Sequence, residues 1–509
     1  MKLIKKIAAI MFAFMMVVSM SCNVKAVEGT SPATEETGTI KINNAIPEQT
    51  YTIYKILDLE SYSPKEENGK ETGNFAYKPS SEWESFIKGE NVRDKYFIFD
   101  GEYVSWKENA DPAAFAKLAL DYAKKDGSPV KTHEEKSTPP ASNGQTTSTV
   151  IFDKLSLGYY LVDSSVGTLC SLDTTKPTVE IKEKNGVPSV DKKVSNSKTG
   201  TFDTSSTASI GDTVHFKTTI TAQPGAQNYV LHDKMIEGLT FDQNSVNVSL
   251  HKNATNNDKN LTNEDYSVVT TGLESKDPKC TFHINFTKEL CDRLAANDTI
   301  TVTYSATLNE NAVIGNVDKN TNETWLKYGD SQNTQHKTTT TKTFEMNVFK
   351  FYKDKNDSTT EKGLDGATFK LTKDSQDAEN ISFVKTSNET ATDDVYRVAK
   401  TGETVTTITS PKSGKFTIQG LGAGTYYLTE TQQPAGYNKL SGPVKVEIDT
   451  NGNVTVDGAD ANPVKVLNKT GTVLPSTGGA GTTMIYLIGA VLVLGSGVVL
   501  ATKRRVKDK

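Results

Sequence analysis

The 509-residue sequence predicts an all-β protein of tandem β-sandwich domains, with some helix in the first domain. Three observations carry that expectation. Strand-period alternation recurs along the chain: "DTVHFKTTITA" puts Val214, Phe216, Thr218 and Ile220 on one face, and "TITVTYSATL" and "FKLTK" behave likewise. "VKVEIDTNGNVTVDG" reads as two strands joined across an Asn-Gly turn. Threonine is abundant, which suits solvated sheet faces. One helix stands out. In "DPAAFAKLALDYAKKDG", Asp111 can cap, Pro112 fits the first turn, and Phe115, Leu118 and Tyr122 share a face.

Polar breaks divide the chain. "KNGVPSVDKKVSNSKTG" ends one unit and starts the next, and "SQNTQHKTTTTKT" separates the second from the third. The start has a basic "MKLIKK", an apolar core and a small residue at Ala26, the pattern of a secretory signal peptide cut after Ala26. Cys22 lacks the preceding leucine of a lipoprotein signal. The expected division is a signal peptide at 1–26, domains at 27–187, 188–337 and 338–473, and a terminal segment at 474–509. A weak repeat links the outer domains. "FDKLSLGYYLVDSS" aligns with "FTIQGLGAGTYYLTETQQPAGY", and Asp163 then falls on Glu430.

Composition excludes several functions. A net charge of −5 gives no basic footprint for nucleic acid. Of four cysteines, Cys170, Cys280 and Cys291 remain after export; Cys280 and Cys291 could pair, but an odd count argues against a disulfide scaffold. Without CxxC, HExxH or clustered histidines in the sequence, no metal and no cofactor is expected. No Ser/His/Asp order, paired sugar-cleaving carboxylates or phosphate loop points to an enzyme. An exported chain without disulfides needs some other covalent support.

The carboxyl end supplies the first functional signal. Met484 to Thr502 is almost wholly apolar and uncharged, close to the about 20 residues a membrane helix needs. Lys503, Arg504, Arg505, Lys507 and Lys509 follow, which favours a cytoplasmic end. Ahead of both stand Leu474, Pro475, Ser476, Thr477 and Gly478. This order of LPxTG, apolar span and basic stub resembles the sorting signal read by sortases of Gram-positive bacteria. The resemblance implies cleavage between Thr477 and Gly478 of a precursor held transiently at the membrane.

The third domain opens "FEMNVFKFYKDKNDSTTEKGLDGATFKL", contains "YYLTETQQPAGY" and closes "VKVLNKTGTVLPSTG". These segments resemble the Cna B-type immunoglobulin-like domain of Gram-positive surface proteins. The resemblance implies a bond from a first-strand lysine, Lys350, to a last-strand asparagine, Asn468, promoted by Glu430. The residue types suit that chemistry. Burial disfavours an ammonium and frees the amine as a nucleophile. A protonated carboxyl group can hydrogen-bond the asparagine carbonyl and make its carbon more electrophilic. Any one of these residues alone would more often be an ordinary surface side chain; their joint placement argues otherwise.

The second domain, with "SVDKKVSNSKTG" and "YVLHDKMIEGLTF", resembles the isopeptide-forming middle domain of fimbrial shaft subunits. That implies Lys192 as nucleophile, in preference to Lys193 on the opposite strand face, and Asp233 as the acid. The partner is Asn322, with Asn320 the alternative, both in "GNVDKNTNETWLKYGD". In the first domain the strands "GTIKIN" and "TVEIKEKNG" offer Lys41 and Asn185, and Asp163 holds the repeat position of Glu430. A third bond, Lys41 to Asn185, is the expectation there.

Shaft pilins of this family carry a "YPKN" motif whose lysine attacks the sortase-bound threonine of another subunit. Here "VEIKEKNGVPSVDKKV" matches with Lys184-Asn185, while Lys182 and Glu183 replace Tyr and Pro, leaving Lys182 as the alternative acceptor. The resemblance implies a structural shaft subunit of a covalent pilus on the cell wall, not a turnover enzyme. The resemblance also implies a part in adhesion for this subunit. Its implied partners are a pilin-specific sortase, other copies of itself joined head to tail through Thr477, peptidoglycan, minor pilins and a host surface ligand. The rival reading is a monomeric wall-anchored adhesin, with the same sorting signal and no linking lysine.

Overall fold

The computed structural model describes residues 37–63, 66–67, 70–71, 74–139, 147–174, 178–183, 185–271, 273, 279–354, 357–472 and 480–507. The expected signal peptide with Cys22 and Ala26, the acceptor Lys184, and Leu474, Pro475, Ser476, Thr477 and Gly478 lie outside them. The chain divides into two compact units, Met1–Lys184 and Asn185–Lys509.

In the first unit, strand Thr37–Ala45 lies between Thr178–Lys182, parallel to it, and Ser148–Ser156, antiparallel to it. The other sheet runs in the order Gly167–Thr174, Gly158–Ser164, Thr50–Ser63, Asn74–Pro79, Tyr103–Trp106, Phe97–Asp100. Ile40, Ile42, Tyr51, Ile53, Phe152, Tyr160 and Val162 fill the space between the sheets. The second sheet is buried on its other face as well. Helices Glu84–Lys88, Glu90–Tyr96 and Pro112–Ala123 contribute Ile87, Val92 and Phe115 to a separate core with Ile56 and Leu161. Burial on both faces explains why "YYLVDSS" is buried from Tyr160 to Ser165 without alternation.

The helix that the sequence predicts is present, and Asp111 caps it, accepting from the N–H groups of Ala113 (2.9 Å) and Ala114 (3.3 Å). Its buried face differs from the expected one. Phe115, Ala116, Ala119 and Leu120 are buried, whereas Leu118 is 42% exposed. At 100° per residue Leu118 points about 130° from the centre of that face.

The second unit holds two sandwiches. In the first of them, a sheet in the order Ser189–Ser195, Thr213–Thr221, Thr299–Leu308, Leu239–Lys252, Asn257–Asn260 faces one in the order Ser205–Thr207, Lys337–Lys342, Thr321–Tyr328, Val230–Met235, Phe282–Phe286, Tyr266–Val269. Val214, Phe216, Thr218 and Ile220 all point inward, as their alternation predicts. In the last sandwich, Phe344–Asp354 lies between Lys415–Leu421, antiparallel, and Val464–Leu467, parallel. The opposing sheet is centred on Thr368–Lys373, Gly424–Gln432 and Val444–Ile448. The expected hairpin joins Val444–Ile448 to Val454–Val456, with Gly452 at φ +84°. A Cβ there would also come within 2.5 Å of Phe344, so both backbone and packing call for glycine.

These two sandwiches share a seam. The segment after Ser205–Thr207 inserts Ile210 into the core of the last sandwich, beside Phe344 and Leu421. Its backbone N–H donates to Gly420 O at 2.9 Å. The hydroxyls of Ser209 and Thr207 accept from the N–H groups of Gly422 (3.0 Å) and Ala423 (3.2 Å). Finally, helix Ala480–Lys507 contains one stretch, Met484–Arg504, long and apolar enough to cross a membrane, and none of it is buried in the protein.

Candidate crosslinking sites

The last sandwich brings Lys350, Glu430 and Asn468 together. Lys350 follows Met346 and Val348 at period two, so its side chain points inward and is fully buried. The parallel ladder sets Lys350 against Val466, and Asn468 N–H closes the pairing on Phe351 O at 3.0 Å. Glu430 follows Tyr426 and Leu428 on the inner face of the opposing sheet. Lys350 Nζ lies 2.9 Å from Glu430 Oε1 and also donates to Asn468 Oδ1. Asn468 Nδ2 donates to the same Glu430 oxygen at 2.8 Å, and Glu430 Oε2 accepts from Leu440 N–H at 2.9 Å. The Phe369 ring covers the ammonium, 5.6 Å from its centroid. Burial pushes the Lys350 ammonium below its ordinary range, with Glu430 opposing.

The middle sandwich builds a similar centre with one more member. Lys192 points inward between Val190 and Val194, while Lys193 lies on the other face. Asp233 points inward beside Leu231, with its Oδ2 2.6 Å from Lys192 Nζ. Tyr304, inward with Ile300 and Val302, stands between the reacting groups. Its hydroxyl bonds to Asp233 Oδ2 and to Lys192 Nζ, and it accepts from Asn322 Nδ2 at 3.2 Å. Asp233 Oδ1 and Asn322 Oδ1 are buried with no hydrogen-bond partner among the described residues. Burial pushes Lys192 down and Asp233 up, each opposed by the other. Burial, with Asp233 adding to it, also pushes the Tyr304 phenol well up. The pair is therefore biased toward its neutral forms.

Asn320, the alternative to Asn322, is engaged elsewhere. Both ends of its amide bond the Val313 backbone, at 2.7 and 2.8 Å. Tyr304 is the member that sequence reasoning did not single out. Its signal was its phase in "TITVTYSATL", the only aromatic residue on an otherwise aliphatic inner face of that strand.

The first unit does not assemble the expected Lys41, Asp163 and Asn185 set. Lys41 falls between the inward Ile40 and Ile42, points out, and pairs with Glu180 at 3.0 Å. Asp163 is buried on the helix-covered face, next to Lys124 at 2.7 Å. Asn185 belongs to the second unit, its carboxamide packed on the Gly225 turn. The repeat alignment explains the miss. The buried tyrosines that bond back to the preceding turn are Tyr160 and Tyr426. Asp163 lies three residues after the first and Glu430 four after the second, and one residue of slip turns a strand side chain to the opposite face.

Around the expected acceptor, Glu183 is tied to the first unit. Its N–H donates to Asn43 O at 2.9 Å, and its carboxylate accepts from the buried Tyr51 hydroxyl at 2.7 Å. In the second unit, Gly186 N–H donates to Pro224 O at 3.0 Å. Lys182 is exposed at the end of its strand.

Comparison with known proteins gives the class. Residues 210–332 match the Gram-positive pilin backbone subunit 2, Cna-B-like domain; residues 350–462 match the SpaA prealbumin-like fold domain; residues 467–509 match the LPXTG cell wall anchor motif. These matches define a cell-wall-anchored surface protein built of pilin domains. Pilin backbone domains and an LPXTG anchor support a cell-wall-anchored pilus shaft subunit, and the anchor implies sortase processing and linkage to peptidoglycan.

Among solved structures, the chain is similar to the group B streptococcus pilus 2b backbone protein, at 25% identity and TM-score 0.40 over 57% of this chain and 100% of that one. It is similar to the Corynebacterium diphtheriae major pilin SpaA at 16% identity and TM-score 0.45, over 85% of this chain and 100% of that one. It is similar to the RrgB pilus protein from Streptococcus pneumoniae at 14% identity and TM-score 0.44, over 88% of this chain and 100% of that one. No curated protein matches.

Proposed function

We propose that this shaft subunit carries two intramolecular isopeptide bonds, Lys192–Asn322 and Lys350–Asn468, and polymerises head to tail through Thr477 and Lys184. The observation that carries the reading is the burial of two lysine–acid–asparagine sets, each pairing a lysine on the first strand of its sandwich with an asparagine more than a hundred positions later in the chain. In each, the lysine passes a proton to the acid and its nitrogen attacks the asparagine Cγ. A C–N bond forms, the acid gives that proton to Nδ2 and takes the second one from the lysine nitrogen, the Cγ–Nδ2 bond breaks, and ammonia departs, leaving a neutral amide and a protonated acid. In the last sandwich Glu430 Oε1 already contacts both nitrogens that exchange that proton. Holding the groups in contact supplies an effective concentration worth about 7–11 kcal/mol of the barrier. Both bonds form once per chain, so the chemistry is self-modification, not turnover.

Intact-mass measurement of the mature ectodomain tests this. The mass should fall short of the sequence by two ammonia molecules, and Glu430→Ala and Asp233→Ala should each restore one. Full sequence mass in well-folded protein would sink the proposal. In the middle sandwich Tyr304 carries the hydrogen bond between Asp233 and Asn322 that Glu430 makes directly in the last one. Tyr304→Phe should therefore leave a mixed population, part of it heavier by one ammonia, while the Lys350–Asn468 bond stays complete. Complete loss of both ammonia molecules in that variant would show that the phenol is dispensable.

Adhesion, minor pilins and a host surface ligand belong to the same proposal as properties of the assembled fibre. They rest on the pilin class of the chain, not on any pocket or patch described above.

A further inference from the structure

The sheet that presents Asp233 and Asn322 to the interior of the middle sandwich carries a row of rings on its outer face. His232 pairs in register with His283 on one side and with Trp325 on the other. Its ring stacks on the Trp325 indole, with centroids 5.0 Å apart and planes 4° from parallel. The His283 ring is 5.5 Å away, and Cys280 Sγ lies 3.6 Å from His232 Nδ1. The thiol sulfur and one ring nitrogen of each histidine all lie within 4.8 Å of one another.

We propose that His232, Cys280 and His283 form a binding site for a zinc-class divalent cation, with water as the fourth ligand. A tetrahedral zinc ion with bonds of about 2.3 Å to sulfur and 2.0–2.1 Å to nitrogen separates those two ligand atoms by about 3.6 Å. The Cys280–His232 pair already has that spacing. The remaining separations need to close by no more than about 1.4 Å, which side-chain rotation supplies. A thiolate with two imidazoles selects zinc-like ions over calcium and magnesium, which take oxygen ligands. Cys280 and His283 are partly exposed, so solvent reaches the fourth position. Stacking on Trp325 holds the His232 ring in one plane, the orienting role that outer-shell groups play at metal sites. Binding takes the cysteine as thiolate and both imidazoles neutral, and the thiol proton goes to solvent. The sequence gives no hint of the site, because His232 is 48 positions from Cys280 and only strand pairing joins them.

The test is titration of the reduced, metal-free exported chain with Zn2+ by calorimetry and with Co2+ by absorption. The expected result is one ion per chain, a sulfur-to-cobalt charge-transfer band, and a change in the emission of Trp325, the only tryptophan of the second unit. Cys280→Ser should remove the charge-transfer band and weaken zinc binding by at least about tenfold, and His283→Ala should weaken it comparably. Cys280→Ser is nearly isosteric, and matched melting of the metal-free chains shows that the variants fold. Absence of saturable zinc binding, or binding that survives in the Cys280→Ser/His283→Ala double variant, would overturn the proposal. So would a strong preference for Ca2+ over Zn2+.

Discussion

Lys184→Ala should abolish the SDS-resistant ladder of high-mass polymers from cell walls, while monomer export and wall attachment persist. Head-to-tail joining needs an acyl donor and an amine acceptor, and each subunit uses each once. Thr477 is the proposed acyl donor, so deletion of Leu474 to Gly478 should remove polymer and wall attachment together. Lys184 is the proposed acceptor, by its match to the lysine of the "YPKN" motif. Glu183 is fastened to the first unit through Tyr51 and Asn43, and Gly186 to the second through Pro224. Lys182, exposed one position before Glu183, is the control. A full ladder from Lys184→Ala cells with none from Lys182→Ala cells would move the acceptor to Lys182. A ladder that survives the double change would place the acceptor outside this segment. The internal bonds should form in all these variants, because their residues lie elsewhere.

The second large effect concerns the last sandwich. Lys350 and Asn468 are 118 positions apart, so the proposed bond closes a long loop. By analogy with a disulfide closing a loop of that size, restraint of the unfolded chain is worth about 4–5 kcal/mol. Lys350→Ala also leaves buried Glu430 without the amide N–H beside it, and an unsatisfied buried polar group costs about 1–3 kcal/mol. The two costs overlap, and together they should lower the melting temperature of this part by about 10–20 °C. They should also open it to protease between the strand ends. Reductant should leave the wild type unchanged, since Cys280 and Cys291 are free and the proposed tie is an amide. Equal melting and protease resistance in variant and wild type would show that the tie contributes nothing.

How much of this was legible in the sequence depends on the range of each signal. The strands at Thr213–Thr221 and Thr299–Leu308 follow local alternation, and the Asp111 cap follows local hydrogen bonding, so both could be read from a few residues. Lys350, Glu430 and Asn468 could be found because each sits at a marked point of a recognisable strand pattern. Asp163 shows the limit of that method. Its alignment with Glu430 was off by a single residue of phase, which sequence similarity tolerates and a β-sheet does not. Leu118 failed for a related reason, since a helix face is set by what lies above it as well as by spacing. Tyr304 and the His232–Cys280–His283 cluster depend on pairing between distant strands, and no local pattern encodes which strands will be neighbours.

Ile210 has a mechanical consequence. A knob of the middle sandwich sits in the core of the last one, flanked by hydrogen bonds from Ile210 and to Ser209 and Thr207. Swinging one sandwich against the other would have to extract a buried isoleucine and leave the carbonyl of Gly420 and the N–H groups of Gly422 and Ala423 to find water. Flexing at that joint is therefore resisted by the same forces that hold a core together. In a fibre made from such subunits this joint would bend less easily than a solvent-exposed linker.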